Sequence, residues 1–329
     1  MKAKRNLLFV AVLGLLVLYR SALGLEALEP GYIVEQYVRF PGQYIHDIVS
    51  DGAGIMYLTL SEEDMIACMN PDKTFTFLSD DILWPTQAVW TGGTDYGDYL
   101  YASSHIGWTE GVIRVTPEGT ALPFAAVRGA DGLGLDRIGR YGGNLFVGRN
   151  INDRIDRVLV DGTVQPFSNF PYNMSGCVEA IEFDPGDRYG GLMYVATSSY
   201  RGVDCQWSGL HSLDTDGNPT RFASDILAAY DLAFDTNELF GGDLFVLGMP
   251  SFDQWDTLWR VTPDGIATEF ARPKITGPHV LALGFGPDGA MYVSEASQTY
   301  EVITIYRVVP EPASILPLGL SSVMSKKKR

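Results

Sequence analysis

Basic residues are scarce in this chain: 24 Lys and Arg stand against 40 Asp and Glu, a formal charge of −16 over 329 residues. A surface of that sign repels phosphate backbones, which argues against nucleic acid as a partner and leaves cations and neutral or basic ligands open. Cysteine is scarcer still. Cys68, Cys177 and Cys205 have none of the spacings of a zinc site. With four histidines, no Gly-Xaa-Ser-Xaa-Gly elbow, no His-Glu-Xaa-Xaa-His and no phosphate-binding Gly-rich loop ahead of a helix, spacing alone assigns no catalytic constellation. What the chain does have is ample material for a core, 46% hydrophobic residues, and the turn-forming residues to divide it, 36 of them glycine.

The segment from Tyr230 to Phe270 shows how that material is used. It reads as four short strands, Tyr230 to Asp235, Asp243 to Gly248, Thr257 to Thr262 and Ile266 to Phe270, each alternating in polarity and bounded by Gly, Asp or Pro. The second strand recurs at Met56-Tyr57, Leu100-Tyr101, Leu145-Phe146, Met193-Tyr194, Leu244-Phe245 and Met291-Tyr292, at spacings of 44, 45, 48, 51 and 47 residues. Third strands end in turns such as Thr116-Pro117-Glu118-Gly119 and Thr262-Pro263-Asp264-Gly265, where proline presets φ and glycine accepts φ > 0. Four antiparallel strands in about forty-five residues make one blade, so six copies predict an all-β, six-bladed β-propeller. The sixth copy lacks a fourth strand after Pro310, and Tyr32-Ile33-Val34-Glu35-Gln36-Tyr37 has the alternation to supply it. Pairing the two ends of the chain in this way closes the ring and protects its edges.

Ahead of the repeats, Lys2, Lys4 and Arg5, a thirteen-residue apolar run from Leu7 to Tyr19, and Ala22-Leu23-Gly24 form the pattern of a secretory signal peptide over residues 1–24. The run falls short of the roughly 20 residues of a membrane-spanning helix. Export is therefore expected, to the cell envelope or the outside. Residues 1–24 carry four basic groups and no acidic one, so cleavage before Leu25 takes the charge from −16 to −20. The propeller occupies residues 25–312, and a monomer is expected. Cys177 opens the first strand of blade four and Cys205 lies between that blade's second and third strands, at the same end of the blade. Export permits a disulfide between them, with two unpaired thiols as the alternative. Cys68, in an apolar third strand, reads as a small buried hydrophobe.

The two ends of the ring carry different loops. Asp136 to Gly143, Asp184 to Gly191 and Asp235 to Gly242 share an aspartate start and an aromatic-Gly-Gly finish, at Tyr141, Tyr189 and Phe240. They read as structural hairpins, without the alternating acids of a calcium loop. At the opposite end, the loops Ser198 to Gly209 and Gly248 to Asp256 bring Trp207 and Trp255, either as ligand contacts or as caps on the adjoining blades. There too the first strands enter the ring, and alignment on Leu135, Phe183, Phe234 and Phe285 puts His46, Thr86, Asp131, Glu179, Tyr230 and Leu281 at the mouth of the central channel. Asp47, Gln87, Gly132, Ala180, Asp231 and Ala282 come next. Strand starts converging on an axis predict a ligand site. Of these, His46, Thr86, Asp131, Glu179, Tyr230 and Asp231 are the candidate binding residues.

Segments such as Asp131-Gly132-Leu133-Gly134-Leu135-Asp136 and Phe285-Gly286-Pro287-Asp288-Gly289-Ala290-Met291-Tyr292-Val293 resemble NHL-type and gluconolactonase-type six-bladed propellers, over about residues 31–309. The gluconolactonase resemblance implies one divalent cation, such as calcium, held at the channel by a glutamate, asparagines and an aspartate at blade starts. Glu179 and Asp131 match those positions; the asparagines do not appear. Val309-Pro310-Glu311-Pro312, the apolar segment Ala313 to Met324 and Lys326-Lys327-Lys328-Arg329 resemble a PEP-CTERM sorting signal, which implies an exosortase-type partner and an exopolysaccharide-rich bacterial envelope. Residues 313–329 would then be a sorting tail. Two functions stand: a binding or scaffold module for extracellular polysaccharide or another small, sugar-like molecule, and a metal-dependent hydrolase of the lactonase type.

Overall fold

The computed structural model describes residues 24–312 apart from 43, 107–109, 152–153, 171–176, 199–207, 251–255, 274–278, 298 and 300. Two strands, β1 (Leu25–Ala27) and β2 (Tyr32–Pro41), precede blade one, which is β3 (Asp47–Ser50), β4 (Met56–Leu60), β5 (Met65–Met69) and β6 (Phe75–Ser79). Blade two is β7 (Pro85–Trp90), β8 (Leu100–Ser104), β9 (Gly111–Val115) and β10 (Ala121–Ala125), and blade three is β11 (Ala130–Leu135), β12 (Leu145–Arg149), β13 (Arg154–Val158) and β14 (Val164–Asn169). Blade four comprises β15 (Cys177–Phe183), β16 (Met193–Ser198), β17 (Gly209–Leu213) and β18 (Pro219–Ala223). Blade five follows with β19 (Ala228–Phe234), β20 (Leu244–Met249), β21 (Thr257–Val261) and β22 (Ala267–Pro273), and blade six with β23 (His279–Phe285), β24 (Met291–Ala296) and β25 (Val302–Pro310). Among the described residues there is no helix. The six antiparallel sheets form the expected β-propeller ring.

Blade six takes its outer strand from the other end of the chain. β2 runs antiparallel to β25 from Tyr32 opposite Pro310 to Pro41 opposite Val302, so the expected closing segment is confirmed and extends four residues past Tyr37. β1, which the repeat does not predict, adds a fifth strand to blade five, with Leu25 opposite Pro273 and Ala27 opposite Ala271. Leu25 is buried in the core between blades five and six.

Alternation along the strands puts one apolar set on each face of a blade, and both faces are covered because the next blade lies on either side. The core is accordingly divided into six clusters, one at each seam of the ring. Within blades two to five, the aromatic at the second position of the second strand meets an outer-strand phenylalanine edge to face: Tyr101 and Phe124 at 4.9 Å, Phe146 and Phe167 at 4.9 Å, Tyr194 and Phe222 at 4.8 Å, Phe245 and Phe270 at 5.0 Å between centroids. Such pairs contribute about 0.5–1.5 kcal/mol each beyond burial.

Seams are locked by turns as well. Gly217 has φ +80° and lies so close to the preceding blade that a Cβ there would come within 2.6 Å of the Phe167 carbonyl oxygen. Blade one follows the closing strand, and its turn has Lys73 at φ 68° instead. The Lys73 ammonium lies 4.2 Å from the centre of the Tyr37 ring and donates to the Tyr37 carbonyl at 3.3 Å, tying blade one to β2.

Candidate functional site

The inner strand of each blade lines the channel, and in five blades its pairing slips where the chain enters: between Pro85 and Ala88, Ala130 and Leu133, Val178 and Ala180, Ala229 and Asp231, and Val280 and Ala282. Thr86, Asp131, Glu179 and Tyr230 sit on these bulges. A bulge re-aims a side chain out of the alternation, which is why such kinks recur beside functional sites. Blade one reaches the same place without one, and the His46 amide donates to the Thr59 carbonyl at 3.0 Å.

Asp131 and Glu179, on adjacent blades, are close enough to act on one another. Burial pushes the Asp131 carboxyl well above the usual range and the charge of Glu179 adds to the effect, while a hydrogen bond to Thr86 opposes it. Glu179 is pushed up to about 7 by burial, with the Ser198 hydroxyl opposing. That hydroxyl donates to Glu179 Oε1. The Thr86 hydroxyl is 2.8 Å from Ser103 Oγ and 3.1 Å from the Asp131 carbonyl oxygen, so hydroxyl groups surround the pair. Burial raises the Tyr230 phenol, reinforced by Asp256 and Glu179, and holds His46 down at about 4, helped by His105, so that imidazole is neutral at pH 7.

Asp231 is placed differently. Its Oδ2 accepts from the Leu283 amide at 2.7 Å and its Oδ1 from the Leu232 amide at 2.9 Å, so the carboxylate ties blade five to blade six. Asp47 does the same between blades one and two through the Ala88 amide at 2.7 Å. Gln87 then crosses the channel from blade two to the opposite side of the ring, with Nε2 3.4 Å from Asp231 Oδ1 and 3.4 Å from the His46 carbonyl oxygen. This crossing separates the mouth from a cavity of about 560 Å³ in the other half of the channel.

The cavity opens toward the hairpins that begin at Asp136, Asp184 and Asp235, the end expected to be structural. Its wall includes Glu182, which is not among the residues expected at the mouth. A signal was available: at the matching position of the other inner strands stand Val49, Val89, Gly134, Ala233 and Gly284, so one acid replaces small apolar residues. Burial pushes Glu182 up to about 7, opposed by the Phe183 amide and the Arg137 guanidinium. The hairpins themselves are built as expected. Asp136, Asp184 and Asp235 each turn Oδ2 back to two amides of their own loop, those of Tyr141 and Gly143 at 2.6 and 2.9 Å, Tyr189 and Gly191 at 2.8 Å each, and Phe240 and Gly242 at 2.6 and 3.0 Å.

A cation at Asp131 and Glu179 would find two carboxylates, whereas calcium takes six to eight oxygens. Among the described residues no group of three or more His, Cys, Asp and Glu is placed to hold a metal ion, so the donor set these residues provide does not by itself fit calcium. Trp207, Trp255 and Cys205 lie outside the described residues. Cys177 is buried with its sulfur 3.4 Å from the Asn150 carbonyl oxygen. Cys68 is buried at the seam of blades one and two, and burial raises its thiol to about 11.

No protein-family model matches the chain, and no curated protein sequence does either. Solved structures do match it. A gluconolactonase from Xanthomonas campestris is 12% identical and superposes with a TM-score of 0.58 over 82% of this chain and 86% of its own. An auxiliary nutrient binding protein from Bacteroides ovatus is 13% identical at a TM-score of 0.59, over 86% and 77%. The calcium-binding protein regucalcin from Agrobacterium tumefaciens is 14% identical at 0.55, over 84% and 95%. At these identities the likeness establishes what the three share with this chain, the propeller fold.

Proposed function

We propose that the protein is an exported binding module whose channel mouth takes a small, hydroxyl-rich, sugar-like ligand, with Asp131 and Glu179 as its central contacts. The observation that carries this reading is the composition of the mouth. Two carboxyls with raised proton affinity stand among the hydroxyls of Thr86, Ser103, Ser198 and Tyr230. A carboxyl that holds its proton both donates and accepts, which is the hydrogen-bonding pattern a polyol presents in return. Export follows from the leader pattern, and the Pro-Glu-Pro tail with its basic end supports delivery to an envelope by an exosortase-type enzyme. Exopolysaccharide is the ligand source that fits this setting.

The test is a glycan-array screen of the mature protein, followed by calorimetry on the best ligand with wild type and Glu179→Gln. The variant should bind at least about tenfold more weakly, because an amide NH2 group takes the place of the carboxyl's O–H donor and mismatches one hydrogen bond to the ligand, and it should melt within a degree or two of wild type. Unchanged affinity would move the site to the Trp207 and Trp255 loops. The lactonase reading draws on the same pair of carboxylates on adjacent blades, and it requires lactone hydrolysis that depends on calcium and is lost in Glu179→Gln. Elemental analysis of the purified protein separates the two at the outset.

A further inference from the structure

The cavity on the far side of Gln87 from the mouth has its own chemistry, and none of Thr86, Asp131, Glu179 and Tyr230 is among its lining residues. Its volume of about 560 Å³ lies within the range of small-molecule sites, roughly 300–1,000 Å³. Val49, Val89, Leu133 and Ala233 make an apolar wall, Trp90 and Ile138 stand toward the hairpin end, and Glu182 breaks the wall with a carboxyl. Ile138 is 49% exposed, a large apolar side chain left in water beside the opening.

We propose that this cavity is a second binding site, for a small organic ammonium ion carrying an apolar body, with Glu182 as its counter-ion. Placing the charge on the ligand follows from what surrounds the cavity. Glu182 and, at its inner end, Asp47 contribute carboxyl groups, and the cation among its lining residues is Arg137. Arg137 is held in place, donating to the Trp90 carbonyl and, at 3.3 Å, to the Gly92 carbonyl, which directs its hydrogen-bonding capacity into the hairpin of blade two. Burial disfavours the ionised form of Glu182, and an ammonium group entering beside it would restore that form. The body of such a ligand would displace water from the valine and leucine wall, at about 25 cal/mol per Å² of apolar area covered. Trp90 lines the cavity as well, with its ring stacked on Tyr57 at 5.8 Å in the seam of blades one and two. The net charge of −16 draws cations toward the protein in the first place.

Calorimetry of the full mature chain with n-hexylammonium, n-hexanol and n-hexanoate tests this directly, because the three probes share a body and differ in charge. Hexylammonium should bind at least about tenfold more tightly than hexanol, and hexanoate more weakly than either. Glu182→Gln should bring hexylammonium to the level of hexanol, and Val89→Trp, which fills the space, should remove both. Equal binding of ammonium and alcohol by wild type, preference for hexanoate, retention of the ammonium preference in Glu182→Gln, or absence of binding at millimolar probe would each overturn the assignment. If Val89→Trp does not fold, the comparison of the three probes on wild type and Glu182→Gln still decides it. None of these outcomes depends on Glu179, so the mouth and the cavity stand or fall separately.

Discussion

Tyr189 sits in the hairpin of blade four but does its bonding in blade five, where its hydroxyl accepts from the Leu244 amide at 2.9 Å and donates to the Val261 carbonyl at 2.5 Å. Tyr96 and Tyr141 bridge the two preceding seams in the same way, to Leu145 and Val158 and to Met193 and Leu213. One hydroxyl thus closes the end of a neighbouring strand pair and holds two blades together. Tyr189→Phe keeps the packing but leaves that amide and carbonyl without their shared partner inside a seam, which costs on the order of 1–3 kcal/mol. We expect a melting temperature lower by several degrees, read by circular dichroism, and an unchanged value would mean the bridge contributes nothing net. Blade five carries the reverse experiment. Phe240 occupies the corresponding place, stacked on Tyr32 at 5.3 Å, and the matching groups in blade six belong to Met291 and Val308, which pair as Leu244 and Val261 do. Phe240→Tyr should therefore match or exceed wild type in thermal stability, and a clear loss would show that the two seams are not built alike.

At the scale of the strand, ring closure rests on β2. A chain beginning at Gly42 would lose β1 along with the partner of β25, expose the apolar edge of blade six and remove the Tyr37 ring that Lys73 rests on. It should melt far below a chain beginning at Leu25, or fail to fold, and equal melting temperatures would remove β2 from the account of closure. This strand was legible in the sequence because a missing fourth strand at one terminus and a spare alternating segment at the other had to match. β1 was not: Leu25-Glu26-Ala27 is too short to show a period, and what makes it a strand is the free edge of blade five, a tertiary fact. The site divides along the same line. Repeat alignment located Asp131 and Glu179, since a channel position is a repeat position. It did not reveal that Asp231 spends its oxygens on amides at Leu232 and Leu283, because hydrogen bonds between blades leave no mark on spacing. Glu182 was visible as an acid among small apolar residues, and only the cavity shows what that exception faces.

Taken as a whole, the molecule gathers buried acids around one axis, and this fixes the direction in which its stability should change with pH. Burial raises the proton affinity of Asp47 to about 8 and of Glu179 and Glu182 to about 7, and it raises Asp131, Asp231 and Glu295 as well. In each case the fold holds a proton that the unfolded chain releases near pH 4, so the contribution is complete below that point and is lost as pH rises through the folded value. Buried His46, His105 and His211 work in the opposite sense, because their proton affinity is lowered: what they contribute is present above about pH 6.5 and declines below it. Asp72, Asp161 and Asp214, held low by hydrogen bonds in exposed turns, matter only near and below pH 4. Between pH 6.5 and 8 the histidines add only a residual and fading rise as the unfolded imidazoles finish losing their protons, while the more numerous raised acids set the sign of the slope. The melting temperature should therefore fall from pH 6.5 to pH 8. Asp131→Asn, which removes one titrating group at the mouth and the repulsion it shares with Glu179, should flatten that fall. A melting temperature that holds or climbs across this interval would mean that the channel acids are hydrated and ionised in the folded protein, and the neutral, sugar-matched mouth proposed above would have to be abandoned with them.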